Sequence, residues 1–149
     1  MYELKRSLPS EVAAIFPIVD RLMVRLGKYS CVPEAESDVE IALREALANA
    51  IIHGNHEDRR KYVYVTCRGD PDEVSIAVKD EGKGFDVNNV PDPTAPENIG
   101  SVHGRGILVM KALMDEVRFE EGGAVVHMRK SAGDAPKPLA IDPQESETR

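Results

Sequence analysis

Residues 61–78 read KYVYVTC, then RGDPD, then EVSIAV. Both outer runs alternate β-branched or aromatic residues with polar ones, the pattern of a strand with one buried face. The middle supplies Gly, Asp and Pro, the chemistry of a chain reversal. Such strands need a layer packed on their apolar face. The segments before them are helical. Val12, Ile15, Phe16, Val19, Leu22, Met23 and Leu26 recur at helical spacing. Pro9-Ser10 opens this helix with Ser10 as its N-cap, and Gly27 is its stop. Pro17 lies inside the pattern and should kink the helix or shift its start. A second helix spans Pro33 to about His53, with Val39, Leu43, Ala46 and Ala50 on one face. Ahead of both, YELKRSL alternates Tyr2, Leu4 and Leu8 with polar residues, as a half-buried strand does.

After Phe85 the periodicity is lost. DVNNVPDPTAPENIGSVH is rich in Pro, Asn and Asp, and a loop this long inside a compact domain is usually functional or disordered. GRGILVMKALMDEV then restarts a helix, with Ile107, Met110 and Met114 on one face. EVRF and AVVHMRK, flanking EEGG, close the domain as a β-hairpin. Residues 1–130 make one domain, and the polar, proline-bearing segment 131–149 reads as a mobile tail.

The 149 residues carry a net charge of −7, which argues against a broad nucleic-acid footprint. A nucleotide can still bind locally, its phosphates neutralised by Mg²⁺ and backbone N–H groups. Cys31 and Cys67 form no CxxC pair, so neither a disulfide scaffold nor a zinc site is expected. No apolar segment approaches the length of a membrane span, and a cytoplasmic location is expected.

Three short features bear chemistry. In REALANAIIHGN, Glu45, Asn49 and His53 stand at i, i+4 and i+8, along one stripe of a helix. A carboxylate one turn from a carboxamide suits a proton acceptor beside a hard cation, since an Asn oxygen can ligand Mg²⁺. Taken alone, the pair reads more simply as a polar helix face in water. In DEGKGFD, Asp80 ends a strand, and Gly82 and Gly84 give the backbone the freedom to approach a flat ring closely. A carboxylate there can accept from the exocyclic amine of adenine; a strand-ending turn is the plainer account. In GRGI, Gly104, Arg105 and Gly106 open a helix, whose unpaired N–H groups form an anion site. The stretch is neither a Walker A loop nor a Rossmann fingerprint.

The order of these features resembles the GHKL ATPase superfamily of gyrase, Hsp90, histidine kinase and MutL ATPases, nearly up to Lys130. Glu45 and Asn49 stand for its N box, Asp80-Glu81-Gly82-Lys83-Gly84 for its first glycine box, and Gly104-Arg105-Gly106 for its second. Within it, DEGKGFD, HGRGILVMKALMDEV and the single-domain length are similar to the small bacterial anti-sigma factor serine kinases. The resemblance implies an α+β Bergerat fold, a two-layer sandwich of a mixed β-sheet with helices on one face. It implies ATP and Mg²⁺ as cofactors. Asn49 would hold the metal, and Asp80 would bind the adenine amine with Gly82 and Gly84 beside the base. Residues from about Asp86 to His103 would form the ATP lid, Gly104, Arg105 and Gly106 would bracket the phosphates, and Glu45 would be the catalytic base. The implied partners are an anti-anti-sigma factor phosphorylated on serine and a sigma factor, with a homodimer common in that branch. Two other functions stay open on the residues: an ATP-binding interaction module without phosphoryl transfer, and a stand-alone histidine kinase catalytic domain.

Overall fold

The computed structural model describes residues 2–28, 36–70, 72–82 and 102–131. Strand β1 (Tyr2–Pro9) leads through a 3₁₀ turn (Val12–Ala14) into α1 (Ile15–Lys28). Helix α2 (Glu36–Ala48) continues without a break as a π-helical stretch, Asn49–Gly54. Strands β2 (Tyr62–Asp70) and β3 (Glu73–Lys79) follow, then α3 (Val102–Leu113), β4 (Glu116–Glu120), a 3₁₀ turn (Glu121–Gly123) and β5 (Val125–Ser131).

The five strands form one sheet in the order β1-β2-β3-β5-β4. Every neighbouring pair is antiparallel, so the expected mixed sheet is corrected to an antiparallel one. The reason lies in where β5 sits. The crossover through α3 brings β4 back in the direction of β3, which would make a parallel pair if the two touched. The returning hairpin strand β5 inserts between them and is antiparallel to both.

Register puts the apolar residues on one face. Leu4 stands opposite Cys67, Leu8 opposite Val63, and Val65 opposite Val78. Ile76 stands opposite Met128, and Val78 opposite Val126. The helices cover this face, giving the expected α+β sandwich. Val39, Ala42, Leu43, Ala46 and Leu47 of α2 are buried, as are Val19 and Leu22 of α1 and Ile107 and Met110 of α3. Each fully buried Leu or Ile contributes roughly 1.5–3 kcal/mol through lost apolar hydration. Helix α2 suits its central place: it is rich in Ala, Leu and Glu, and Glu36 and Asp38 face the positive end of its dipole.

Two local expectations change. Ser10 is not an N-cap. It is fully buried, its Oγ donates to the Lys61 carbonyl at 2.8 Å, and α1 begins only at Ile15. Pro17 stands third in α1, where the N–H it lacks would have had no partner, so it shifts the helix start rather than kinking the helix. Gly27 lies within α1, which runs on to Lys28. The proposed lid from Asp86 and the tail beyond Ser131 lie outside the described residues, except that Val102 and His103 already belong to α3. Among the described residues no helix is long and apolar enough to cross a membrane.

Candidate functional site

The second helix changes its winding at Asn49. The Asn55 N–H reaches the Ala50 carbonyl at 2.8 Å, and that of Glu57 reaches Ile51 at 2.7 Å, one and two residues further back than in an α-helix. Such π turns recur at functional sites because they re-aim side chains. Here the widened stretch lines a cleft between α2, α3, the end of β3 and the β4–β5 turn. The cleft is partly open to solvent, with a cavity of about 30 Å³. Val78, Met110, Phe119 and Val126 give it apolar walls, and Asn49, His53 and Asp80 are its polar side chains.

Asp80 sits just past β3 and is buried. Its backbone N–H donates to the Ala124 carbonyl at 3.0 Å, and its Oδ1 accepts from the Gly82 N–H at 2.7 Å. Burial pushes its carboxyl above the usual range, while the Gly82 N–H and the charges of Lys61 and His56 pull it down. Two glycines make room for it. A Cβ on Gly54 would overlap the Asp80 carboxyl group, and one on Gly82 would overlap the Gly54 carbonyl. Backbone, glycine and carboxylate are thus packed to contact at this end. Gly84 and Lys83 lie outside the described residues.

The other end is built from α2 and α3. Glu45 and Asn49, both half-buried, converge on Gly106. A Cβ at Gly106 would come within 3.0 Å of Glu45 Oε1 and 3.3 Å of Asn49 Nδ2. The missing side chain therefore lets α3 close onto the acid and the amide together. Helix α3 begins at Val102, so Gly104 and Gly106 lie in its first two turns. The first N–H groups of α3, which have no partner within the helix, fall at Val102 to Arg105. Arg105 is exposed. His53 shares the cleft with Asn49, and burial and the nearby His56 hold its imidazole below the usual range.

Among the described residues, no group of three or more His, Cys, Asp or Glu could hold a metal ion. A Mg²⁺ fits Asn49 only as Mg²⁺ is often bound, through one or two protein oxygens plus waters and substrate phosphates. The sequence reading missed Gly54 and Asn55. Gly54 is the last residue of the helical stretch, and a glycine at a helix end is ordinary. Nothing local signals its contact with a carboxylate 26 residues on.

The chain resembles known proteins in sequence and fold. Residues 8–130 match the model of the histidine kinase-like ATPase domain. An anti-sigma F factor of Oceanobacillus iheyensis is 33% identical over 101 residues, 63% of this chain and 68% of that protein. The serine-protein kinase RsbW of Bacillus licheniformis is 35% identical over 100 residues, covering 62% of each chain. A solved structure of the RsbU and RsbW domains of a Mycobacterium tuberculosis protein superposes with a TM-score of 0.57 at 18% identity, over 88% of this chain and 31% of that one. That likeness concerns the fold. The chain belongs to the histidine kinase-like ATPase domain family, with anti-sigma F factors and RsbW serine-protein kinases among its relatives.

Proposed function

We propose that the chain is an ATP-dependent protein serine kinase that phosphorylates an anti-anti-sigma partner and, in another state, holds a sigma factor. The observation that carries this reading is the convergence of Glu45 and Asn49 on Gly106, in a fold whose cleft carries the buried Asp80. The relatives, an anti-sigma F factor and a serine-protein kinase, support the partner classes.

In this reading Asp80 accepts the adenine amine, with Gly82 and Gly84 leaving the base close to backbone. Guanine would present O6 to the same carboxylate. The N-terminal turns of α3, with Gly104, Arg105 and Gly106, meet the phosphates. Bound at Asn49, Mg²⁺ would neutralise charge on the phosphates. Glu45 takes the proton of a serine hydroxyl as its oxygen attacks the γ-phosphorus and ADP departs with the bridging oxygen. A base is the part that a pure ATP-binding module does without. The reading includes a cytoplasmic location, protein partners rather than nucleic acid or membrane, a homodimer and a kinase domain over residues 1–130.

The test is transfer from γ-labelled ATP, with Mg²⁺, to a small candidate anti-anti-sigma protein. Label on a partner serine is the expected result. Label on histidine would favour the histidine kinase catalytic domain. Nucleotide-dependent binding with no label would favour the interaction module.

A further inference from the structure

Asn55 is fully buried where four segments meet. Its Nδ2 donates to Ser10 Oγ at 2.8 Å and to the Tyr62 carbonyl at 3.1 Å. Its Oδ1 accepts from the Glu81 N–H at 2.8 Å. Its own N–H donates to Ala50 within the π-helical stretch. Both side-chain donors and the acceptor are therefore engaged, as a buried amide requires.

The acceptor bond matters most. The Glu81 N–H belongs to the peptide that follows Asp80, so holding it fixes the direction in which the chain leaves Asp80. The Asp80 N–H is held on the other side by Ala124, and the Gly82 N–H locks the carboxylate from the next peptide. Of the three bonds that orient this turn, only that from Asn55 uses a side chain from another element. The Glu81 side chain is exposed, and its Oε2 accepts from the Tyr62 N–H at 2.8 Å and from the Tyr64 hydroxyl at 3.1 Å. The turn is clamped on its outer side as well, but by a flexible carboxylate at the surface.

We propose that Asn55 is a positioning residue for base recognition: through the Glu81 amide it holds Asp80 at the angle needed to read the base. This rests on the reading of Asp80 given above. Ser10 is the control, because it bonds the donor side of Asn55 and the Lys61 carbonyl but does not touch the Asp80 turn.

Two measurements on the full chain test the proposal. In the nucleotide-free parent, NMR-detected hydrogen exchange should show the Glu81 amide protected despite its exposed side chain. Asn55→Ala should speed that exchange and cut the ratio of ATP to GTP affinity, read by calorimetry with Mg²⁺, by about tenfold, the effect of one lost buried hydrogen bond. Ser10→Ala should lower the melting temperature yet keep both the ratio and the Glu81 protection. A Glu81 amide that exchanges like an open turn in the parent overturns the proposal, and this result does not depend on any variant folding. So does an Asn55→Ala protein with the parent ratio, or a Ser10→Ala protein whose ratio falls as far. A parent that binds ATP and GTP alike defeats the reading of Asp80, and the role of Asn55 in base recognition with it.

Discussion

Asp80 is placed against its own stability. Burial raises its carboxyl pKa, so the neutral form is favoured in the fold relative to the unfolded chain. The sign follows from linkage: no penalty is present below the unfolded pKa, and the cost of the ionised form appears as pH rises through the folded value. Asp80→Asn removes that cost and can keep the acceptor for the Gly82 N–H. The nucleotide-free variant should therefore melt at or above the parent at pH 7. Its advantage should shrink as pH falls below the raised pKa, as differential scanning across pH would show. Its ATP affinity should drop roughly 10–100-fold, the range for losing a hydrogen bond to a charged acceptor. Gly54→Ala should act on the same carboxylate by displacing it, lowering ATP affinity while circular dichroism keeps its helical signal. Glu45, Asn49, Asp80 and Gly82 were legible because their residue types and short spacings carry chemistry. Gly54 and Asn55 were not, because their partners, Asp80, Glu81 and Ser10, are brought to them only by the fold.

The elements were mostly legible and their joints were not. Alternation located β1, β2 and β3, and helical spacing located α1 and α2, because each buries one face. The π-helical stretch at Asn49–Gly54 leaves no comparable mark, since local composition does not tell a widened turn from an ordinary one. The sheet order was hidden for the same reason: nothing within EVRF or AVVHMRK says that β5 enters between β3 and β4. One charged residue ties several joints together. Lys130 Nζ donates to the Leu113 carbonyl at 2.8 Å and lies 3.8 Å from Asp38 and 3.9 Å from Asp115. It links β5 to the end of α3 and the start of α2. Lys130→Ala should cost about 1–2 kcal/mol in urea unfolding and leave the ATP dissociation constant unchanged, since the residue lies away from the cleft.

At the scale of the molecule, one antiparallel sheet carries three helices on one face among the described residues, and the cleft opens where α2, α3 and the end of β3 approach each other. Cys67 reports on this layer. It is fully buried in β2, and burial pushes its thiol up to about 12. At pH 8 it should alkylate only when the domain opens globally. Saturating ATP with Mg²⁺ should slow that alkylation about a hundredfold at a hundred times the dissociation constant, as binding to the folded state alone requires. The central claim is narrower: Glu45 and Asn49, gathered against Gly106, serve one bound ATP in different roles. Phosphate transfer to the partner serine and MgATP affinity should be measured together for the parent, Asn49→Ala and Glu45→Gln. Asn49→Ala should lose affinity in the presence of Mg²⁺. Glu45→Gln should bind MgATP about as well as the parent and transfer phosphate roughly 10²–10⁴-fold more slowly, the range for a positioned base. A Glu45→Gln protein that binds ATP and transfers phosphate at the parent rate would contradict the account.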